Sequence, residues 1–342
     1  MSRIGDGFGE LSGNDNYTFI DSNGDILVIE KRAHNQPNYN NPSDESNYAP
    51  NKRAAFIGSN VLKFSIESQT WQQFEFPALS EEENIAELVL TDSHGNVYIL
   101  LYTNYGIIEF KNLFKWNGEQ FESIEFAFPD PIEIKNEDEN GKGKLEFFAA
   151  DGFNDLNEIV IFTNDGNYNI KIFGVDINSS SIRYITEIPA DKNGSLGLPI
   201  GGFVSGNQVV ISYGMKYLSR WEVQRFLFID LESKEIRDID TNGEYEECPQ
   251  ITEKKPITTS KIDQNWLTAG GYGSNPLSFI GTVWVLKNAL AGEGIAADWV
   301  KLEGIELEEG NIVASRTNNP VKIYSVNKEN VVEYTLGDEV FE

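Results

Sequence analysis

The sequence predicts an all-β chain of six four-stranded antiparallel sheets set radially in one domain, and three observations carry that prediction. A polar turn leading into an apolar strand recurs, most clearly as DSNGDILVI at 21–29 and DSHGNVYIL at 92–100. An aromatic residue marks the same place in each repeat, at Phe64, Trp116, Phe173, Phe228, Trp284 and Tyr334, with separations of 52, 57, 55, 56 and 50 residues. The apolar residues alternate or run in short blocks, and helical periodicity is missing.

Taken in order, the turn and its strand read DSNG-DILVI (21–29), DSHG-NVYIL (92–100), FNDLN-EIVIF (153–162), VSGN-QVVIS (204–212), KIDQN-WLTAG (261–270) and RTNNP-VKIYS (316–325). A short strand precedes each: YTFI (17–20), ELVLT (87–91), EFFAA (146–150), GGFV (201–204), ITTSKI (257–262) and NIVAS (311–315). A second hairpin follows each, such as VLKFSIESQTWQQFEF (61–76), LFKWNGEQFESIEF (113–126) and RFLFIDLESKEIRDID (225–240). Asp and Asn suit the turn because their side chains bond their own backbone, and Gly because it accepts positive φ. One such sheet has two apolar faces and cannot cover both alone, whereas a closed ring covers each with its neighbour. The periodic aromatics are then expected between neighbouring sheets. The units span 13–77, 85–127, 145–188, 199–241, 257–305 and 311–342, with 1–12 expected to complete the last sheet, which ends short at VFE.

These repeats resemble a six-bladed β-propeller. DSHGNVYILLYTNYGIIEF is similar to the blades of bacterial sensor-type propellers, and VLKFSIESQTWQQFEF and RFLFIDLESKEIRDID to the outer strands of kelch blades. The chain differs from kelch repeats in lacking their diglycine, and from WD40 repeats in lacking a Trp-Asp pair at blade ends. The resemblance implies that strand 2–3 loops and blade-to-blade linkers emerge on one face, around the channel where propellers bind ligands. The strand 1–2 and 3–4 turns lie on the other.

Composition narrows the partners. With 27 Lys+Arg against 54 Asp+Glu the formal charge is −27, which argues against nucleic acid and anionic membranes and favours a basic partner or a highly soluble surface. Cys248 is the single cysteine, so an intramolecular disulfide and a cysteine zinc cluster are excluded. MSRIGDGFGELSGND has no apolar leader segment, and no run reaches 18 apolar residues, so the chain is expected to be soluble, either cytoplasmic or exported. Sequons at Asn16, Asn178 and Asn193 matter only in a secreted eukaryotic chain.

The loop face gathers the candidate ligand-binding residues: His34, Tyr39 and Tyr48 in the long 33–60 loop, Tyr105, then Tyr217, Arg220 and Trp221, and Tyr272. Such amphipathic rings offer contact area at low entropic cost, suited to a protein or glycan partner. Acidic linkers at 80–84, 129–144, 241–255 and 306–311 are expected to rim the same face. In NEDENG, Asn136, Asp138 and Asn140 alternate as in a calcium loop, but position one is Asn and position twelve is Phe147, so calcium is a weak expectation and no other cofactor is expected.

No catalytic residue is assigned. The two histidines, His34 and His94, are too few for a histidine metal centre, and a G-x-S-x-G nucleophile elbow is absent. The expected function is non-enzymatic recognition or scaffolding of a protein or glycan partner. The alternatives are a carbohydrate-active enzyme with paired carboxylates near the channel, and a bacterial effector or exported cargo protein with a propeller binding domain.

Overall fold

The computed structural model describes residues 1–8, 16–30, 60–77, 85–92, 95–104, 107–125, 132–133, 147–164, 170–176, 179, 181–189, 198–217, 220–239, 250–251, 258–262, 265–269, 281–288, 298–315 and 320–340. Strand β1 (Ser2–Asp6) opens the chain. The first sheet is an antiparallel meander of β2 (Asn16–Ile20), β3 (Ile26–Glu30), β4 (Asn60–Ser65) and β5 (Thr70–Glu75). Next come β6 (Ile85–Thr91), β7 (Val97–Asn104), β8 (Ile107–Trp116) and β9 (Phe121–Ile124), with β10 (Ile132–Glu133) also on β8.

Two further antiparallel groups follow. One is β11 (Phe147–Phe153), β12 (Glu158–Asn164), β13 (Ile170–Asp176) and β14 (Ser181–Ile188). The other is β15 (Leu198–Ser205), β16 (Gln208–Tyr217), β17 (Arg220–Asp230) and β18 (Ile236–Ile239), with β19 (Gln250–Ile251) on β17. A single parallel bridge between Asp151 and Phe203 joins these groups into one nine-stranded sheet. Five separate sheets therefore stand among the described residues where the sequence predicts six.

The last two sheets are β20 (Thr258–Ile262), β21 (Asn265–Ala269), β22 (Val283–Lys287) and β23 (Asp298–Lys301), then β24 (Asn311–Ala314), β25 (Val321–Val326) and β26 (Asn330–Leu336). Strand β1 supplies the outer strand of that final sheet, pairing Ser2 with Glu333 and Asp6 with Asn330. No helix among the described residues is long and apolar enough to cross a membrane.

Together the sheets make a β-propeller, and among the described residues five contacts pack neighbouring sheets face to face through side chains of opposite pleat. Leu27, Ile29 and Val61 meet Val97, Ile99 and Phe114 of the following sheet. The other pleat face of that sheet, carrying Tyr98, Leu100 and Leu113, meets Ile159, Ile161 and Val175. Val160, Phe162 and Ile172 then meet Val209, Ile211 and Leu227. Val283 and Val285 meet Ile323, Val332 and Tyr334. The array returns on itself where Val313, Tyr324 and Val331 pack on Ile26, Val28 and Phe64. Period-two alternation puts consecutive residues of one strand into two different interfaces, which is why these strands are apolar throughout.

Four of the six periodic aromatics share one direction, whereas Phe228 takes the opposite pleat from Leu227 and Ile229, which face the preceding sheet. Phe64, Trp116, Phe173 and Tyr334 each lie in the interface with the preceding sheet. Phe64 is fully buried, 5.1 Å from the Trp71 ring, and a Cβ on Gly5 would fall 2.5 Å from its ring, so only glycine fits there on β1. Trp71 also donates its indole N–H to the carbonyl of Asp6 at 2.7 Å. Ring closure thus combines the apolar cluster around Phe64 with the β1 strand edge that Trp71 holds.

Truncating Phe64 to alanine should cost about 3–5 kcal/mol, the range for a large buried aromatic, read as a lower urea midpoint. Deleting Ser2–Asp6 should leave the β26 edge open, and the chain should then associate in size-exclusion chromatography as concentration rises.

Candidate functional site

The meander order sorts the connections onto two faces. The β2–β3, β4–β5 and equivalent turns occupy one face, and the β3–β4, β7–β8, β16–β17 and equivalent connections the other. The two faces are built very differently.

On the turn face the recurring Asp, Asn or Ser is a turn-forming residue. Asp21 Oδ1 accepts the N–H groups of Asn23 and Asp25 at 2.9 and 3.0 Å, while the Asp21 N–H donates to the carbonyl of Asp25 at 2.9 Å. Asp92 does the same with Asn96, Asn154 with Glu158, and Ser315 with Lys322. Gly24 and Gly95 hold φ of +83° and +79°, the left-handed region the third or fourth turn position needs.

Remaining polar atoms tie strands and neighbouring sheets together. Asp21 Oδ2 accepts the indole N–H of Trp116 from the next sheet at 3.2 Å, and Lys63 Nζ lies 3.1 Å from Asp25 and donates to the carbonyl of Gly118 at 3.3 Å. Asp92 accepts the Tyr98 hydroxyl at 3.2 Å; burial first, then the Asp92 charge, pushes that phenol up to about 12.

Glu158 is the most buried ion-paired glutamate described here, with its side chain 6% exposed. Arg183 grips it with two bonds, Nε to Oε1 at 2.9 Å and Nη2 to Oε2 at 2.6 Å, and Asn154 Nδ2 adds a third at 2.6 Å. The pair spans from β12 to β14 across β13, and Gly174 makes that possible, because a Cβ there would collide with the Glu158 carboxylate. Burial opposes the charge most strongly, but the bonds from Arg183 and Asn154 and the Arg183 charge together hold the carboxyl below its ordinary value. None of Lys63, Glu158, Arg183 or Gly174 was flagged by sequence reasoning. The readable signal was Gly174 interrupting the apolar strand IKIFGVD.

The loop face is built from outrunning hairpins. Strand β15 last pairs with β16 at Gly214, and β18 last pairs with β17 at Phe226. Beyond both, β16 and β17 continue as Met215 opposite Glu222, Lys216 opposite Trp221 and Tyr217 opposite Arg220. A register shift at Tyr213/Gly214 marks where the hairpin leaves the sheet. The linker strand β19 then pairs Ile251 with Trp221 and Gln250 with Glu222. On the β7–β8 hairpin β10 pairs Ile132 with Ile108 and Glu133 with Ile107, but β6 accompanies β7 as far as Thr103, so that hairpin stays within its sheet.

Three predicted residues, Tyr217, Arg220 and Trp221, are thus brought together at one hairpin tip. His34, Tyr39, Tyr48, Tyr105 and Tyr272 lie outside the described residues, as do Asn136, Asp138 and Asn140 of the calcium-like loop. Among the described residues, no group of three or more His, Cys, Asp or Glu side chains is placed to hold a metal ion.

No known family model matches the chain, and no curated protein is similar to it by sequence. Among solved structures it is similar to a protein of unknown function from Dyadobacter fermentans, at 12% identity over 98% of each chain with a TM-score of 0.49. It is also similar to the SapL1 lectin, solved in complex with alpha methyl fucoside, at 10% identity over 98% of this chain and 93% of that one, with a TM-score of 0.46.

Replacing Arg183 by alanine removes two of the three side-chain hydrogen bonds to the buried Glu158 carboxylate, and stability should fall by about 2–3 kcal/mol, the scale of bonds to charged groups. Because the folded pKa of Glu158 is depressed, its contribution is complete above the unfolded value of 4.5 and disappears as pH falls through the lower folded value. Denaturant melts from pH 6 to pH 3 should therefore show a steeper acid loss in wild type than in Glu158→Gln.

Proposed function

We propose that the nine-stranded sheet is two blades joined by one bridge, that the ring is six-bladed, and that the chain is a non-enzymatic recognition or scaffold module. Its partner is a protein or a glycan, received on the loop face. The observation that carries this reading is the β16–β17 hairpin, which runs three residue pairs past its own sheet and is braced there by β19. A propeller needs no such extension to close its core. Among the described residues β19 alone braces it, so its retention is best explained by what the tip contacts.

The tip chemistry fits recognition. Tyr, Trp and Arg dominate the energetics of protein interfaces because they bury large area with few rotamers to fix. The same residues suit sugars, through ring stacking and charged hydrogen bonds. The charge of −27 steers basic partners toward the protein at long range. Against the paired-carboxylate enzyme stands the use already made of the buried acids: Asp21 by two N–H groups, Trp116 and Lys63, and Glu158 by Arg183 and Asn154.

The test replaces Met215–Glu222 by Asn-Gly, a sequence suited to a tight hairpin turn. Circular dichroism and the melting temperature should stay close to wild type, while binding on a glycan array, or recovery of a cross-linked protein partner, should fall at least tenfold. Equal binding by both proteins would overturn the assignment of this face.

A further inference from the structure

We infer that Asn117–Gly118, in the β8–β9 turn, is a self-modifying site: the Gly118 nitrogen closes on the Asn117 side-chain amide, ammonia leaves, and water opens the resulting ring to isoaspartate or aspartate. The site lies on the turn face and is independent of the recognition reading above. Asn-Gly pairs occur in the sequence at 23–24, 117–118, 140–141, 193–194 and 242–243. The first two are described, and they are neighbours across the seam between the first two sheets: a Cβ on Gly118 would stand 3.8 Å from Asn23 Nδ2. Both asparagines are exposed, and Gly24 and Gly118 both hold positive φ, +83° and +104°. Sequence and exposure therefore treat the two pairs alike. Hydrogen bonding does not.

At Asn117 the amide carbonyl is prepared for attack. Its Oδ1 accepts the N–H groups of Glu119 and Gln120, both at 2.9 Å. To reach donors two and three residues on, the side chain folds back over the Gly118 peptide, which brings Cγ toward the Gly118 nitrogen. The same two donors are placed to hold the oxyanion that forms on Oδ1, as paired N–H groups do in acyl transfer. Glu122 Oε1 accepts from Asn117 Nδ2 at 2.6 Å, so the partners on each side fix which end of the amide is oxygen. The Gly118 N–H has no acceptor among the described residues, and glycine leaves its nitrogen unhindered. At the other pair the Gly24 N–H donates to the Asp21 carbonyl at 2.9 Å, and the Asn23 side-chain amide has no hydrogen bond among the described residues. There the nucleophile is engaged and the carbonyl is not polarised.

The reaction needs only water. A solvent base takes the Gly118 amide proton, the nitrogen bonds to Cγ, and the Cγ–Nδ2 bond breaks as Nδ2 gains a proton from water and departs as ammonia. Water then adds to one carbonyl of the cyclic imide and breaks that carbonyl's bond to nitrogen. Opening on the side-chain carbonyl gives aspartate; opening on the main-chain carbonyl gives isoaspartate, with the backbone one methylene longer. The Gly118 carbonyl accepts Lys63 Nζ from the first sheet at 3.3 Å, so a longer turn displaces a bond that ties the two sheets together. The new carboxylate also replaces the donor that Glu122 held, setting two like charges together.

Purified protein kept for several weeks in mildly alkaline buffer tests the site. Proteolysis and mass spectrometry measure conversion at each asparagine, and an isoaspartyl carboxyl methyltransferase labels the isoaspartate. In the folded protein Asn117 should convert roughly tenfold faster than Asn23. In urea, where neither turn persists, the two rates should fall within about twofold of each other. The folded rate should rise with pH, as removal of an amide proton requires. The converted fraction, separated by its added negative charge, should have a lower urea midpoint than fresh protein. Fresh Asn117→Asp protein, which has the charge without the extra methylene, should lose less.

Equal rates in the folded protein, faster conversion at Asn23, or slower conversion of Asn117 when folded than in urea would overturn the site. An unchanged urea midpoint in the converted fraction would overturn the loosening of the seam while supporting evidence for the modification itself stands on the rates.

Discussion

Every sheet of this protein has two apolar faces, and that constraint organises the rest of the structure. Ile159 and Ile161 face one neighbour while Val160 and Phe162 face the other. No single sheet could be soluble alone, and an open stack would leave two apolar ends. The contact of Phe64 and Ile26 with Tyr324 and Val331 removes both ends at once. Because closure joins residues near the two termini, it is the least local contact in the chain and costs the most loop entropy to form. Gly5 under the Phe64 ring and the Trp71 bond to Asp6 hold the strand that completes it.

Much of this architecture was legible in the sequence because it repeats. The turn echo of DSNG and DSHG reports one geometry, with Asp21 and Asp92 folding back on the N–H groups of Asp25 and Asn96. For Phe64, Trp116, Phe173 and Tyr334 the aromatic spacing reports one packing position, the interface with the preceding sheet. What repeats least was hardest to read. The bridge between Asp151 and Phe203 depends on how closely two strands approach, which no residue type encodes. The two-residue strands β10 and β19 are too short for periodicity and exist only as partners of the loop-face ends of β8 and β17.

The site was legible in part for the same reason. Tyr217, Arg220 and Trp221 stand out as residue types in a loop position, and the register sets them in the last pairs of the β16–β17 hairpin. The Glu158–Arg183 pair was invisible because its partners are 25 residues apart and meet only over the missing side chain of Gly174. A glycine in a strand signals that something crosses there, but not what crosses.

The two faces divide the work of the fold. On the turn face, buried or half-buried carboxylates are saturated by N–H groups, an indole, a lysine and an arginine, so rearrangement there would strand a desolvated charge. That face is therefore a rigid frame. On the loop face, β16 and β17 go on pairing beyond the last described residues of β15 and β18, past a register shift at Tyr213/Gly214. Stiffness in one layer permits extension in the other: a hairpin can present its tip at a defined position only if its base cannot shift. The β16–β17 base is fixed by Val209 and Ile211 on one strand and Leu227 and Ile229 on the other, all fully buried against the sheet before it. The tip inherits that fixed base, and β19 braces it along the β17 edge.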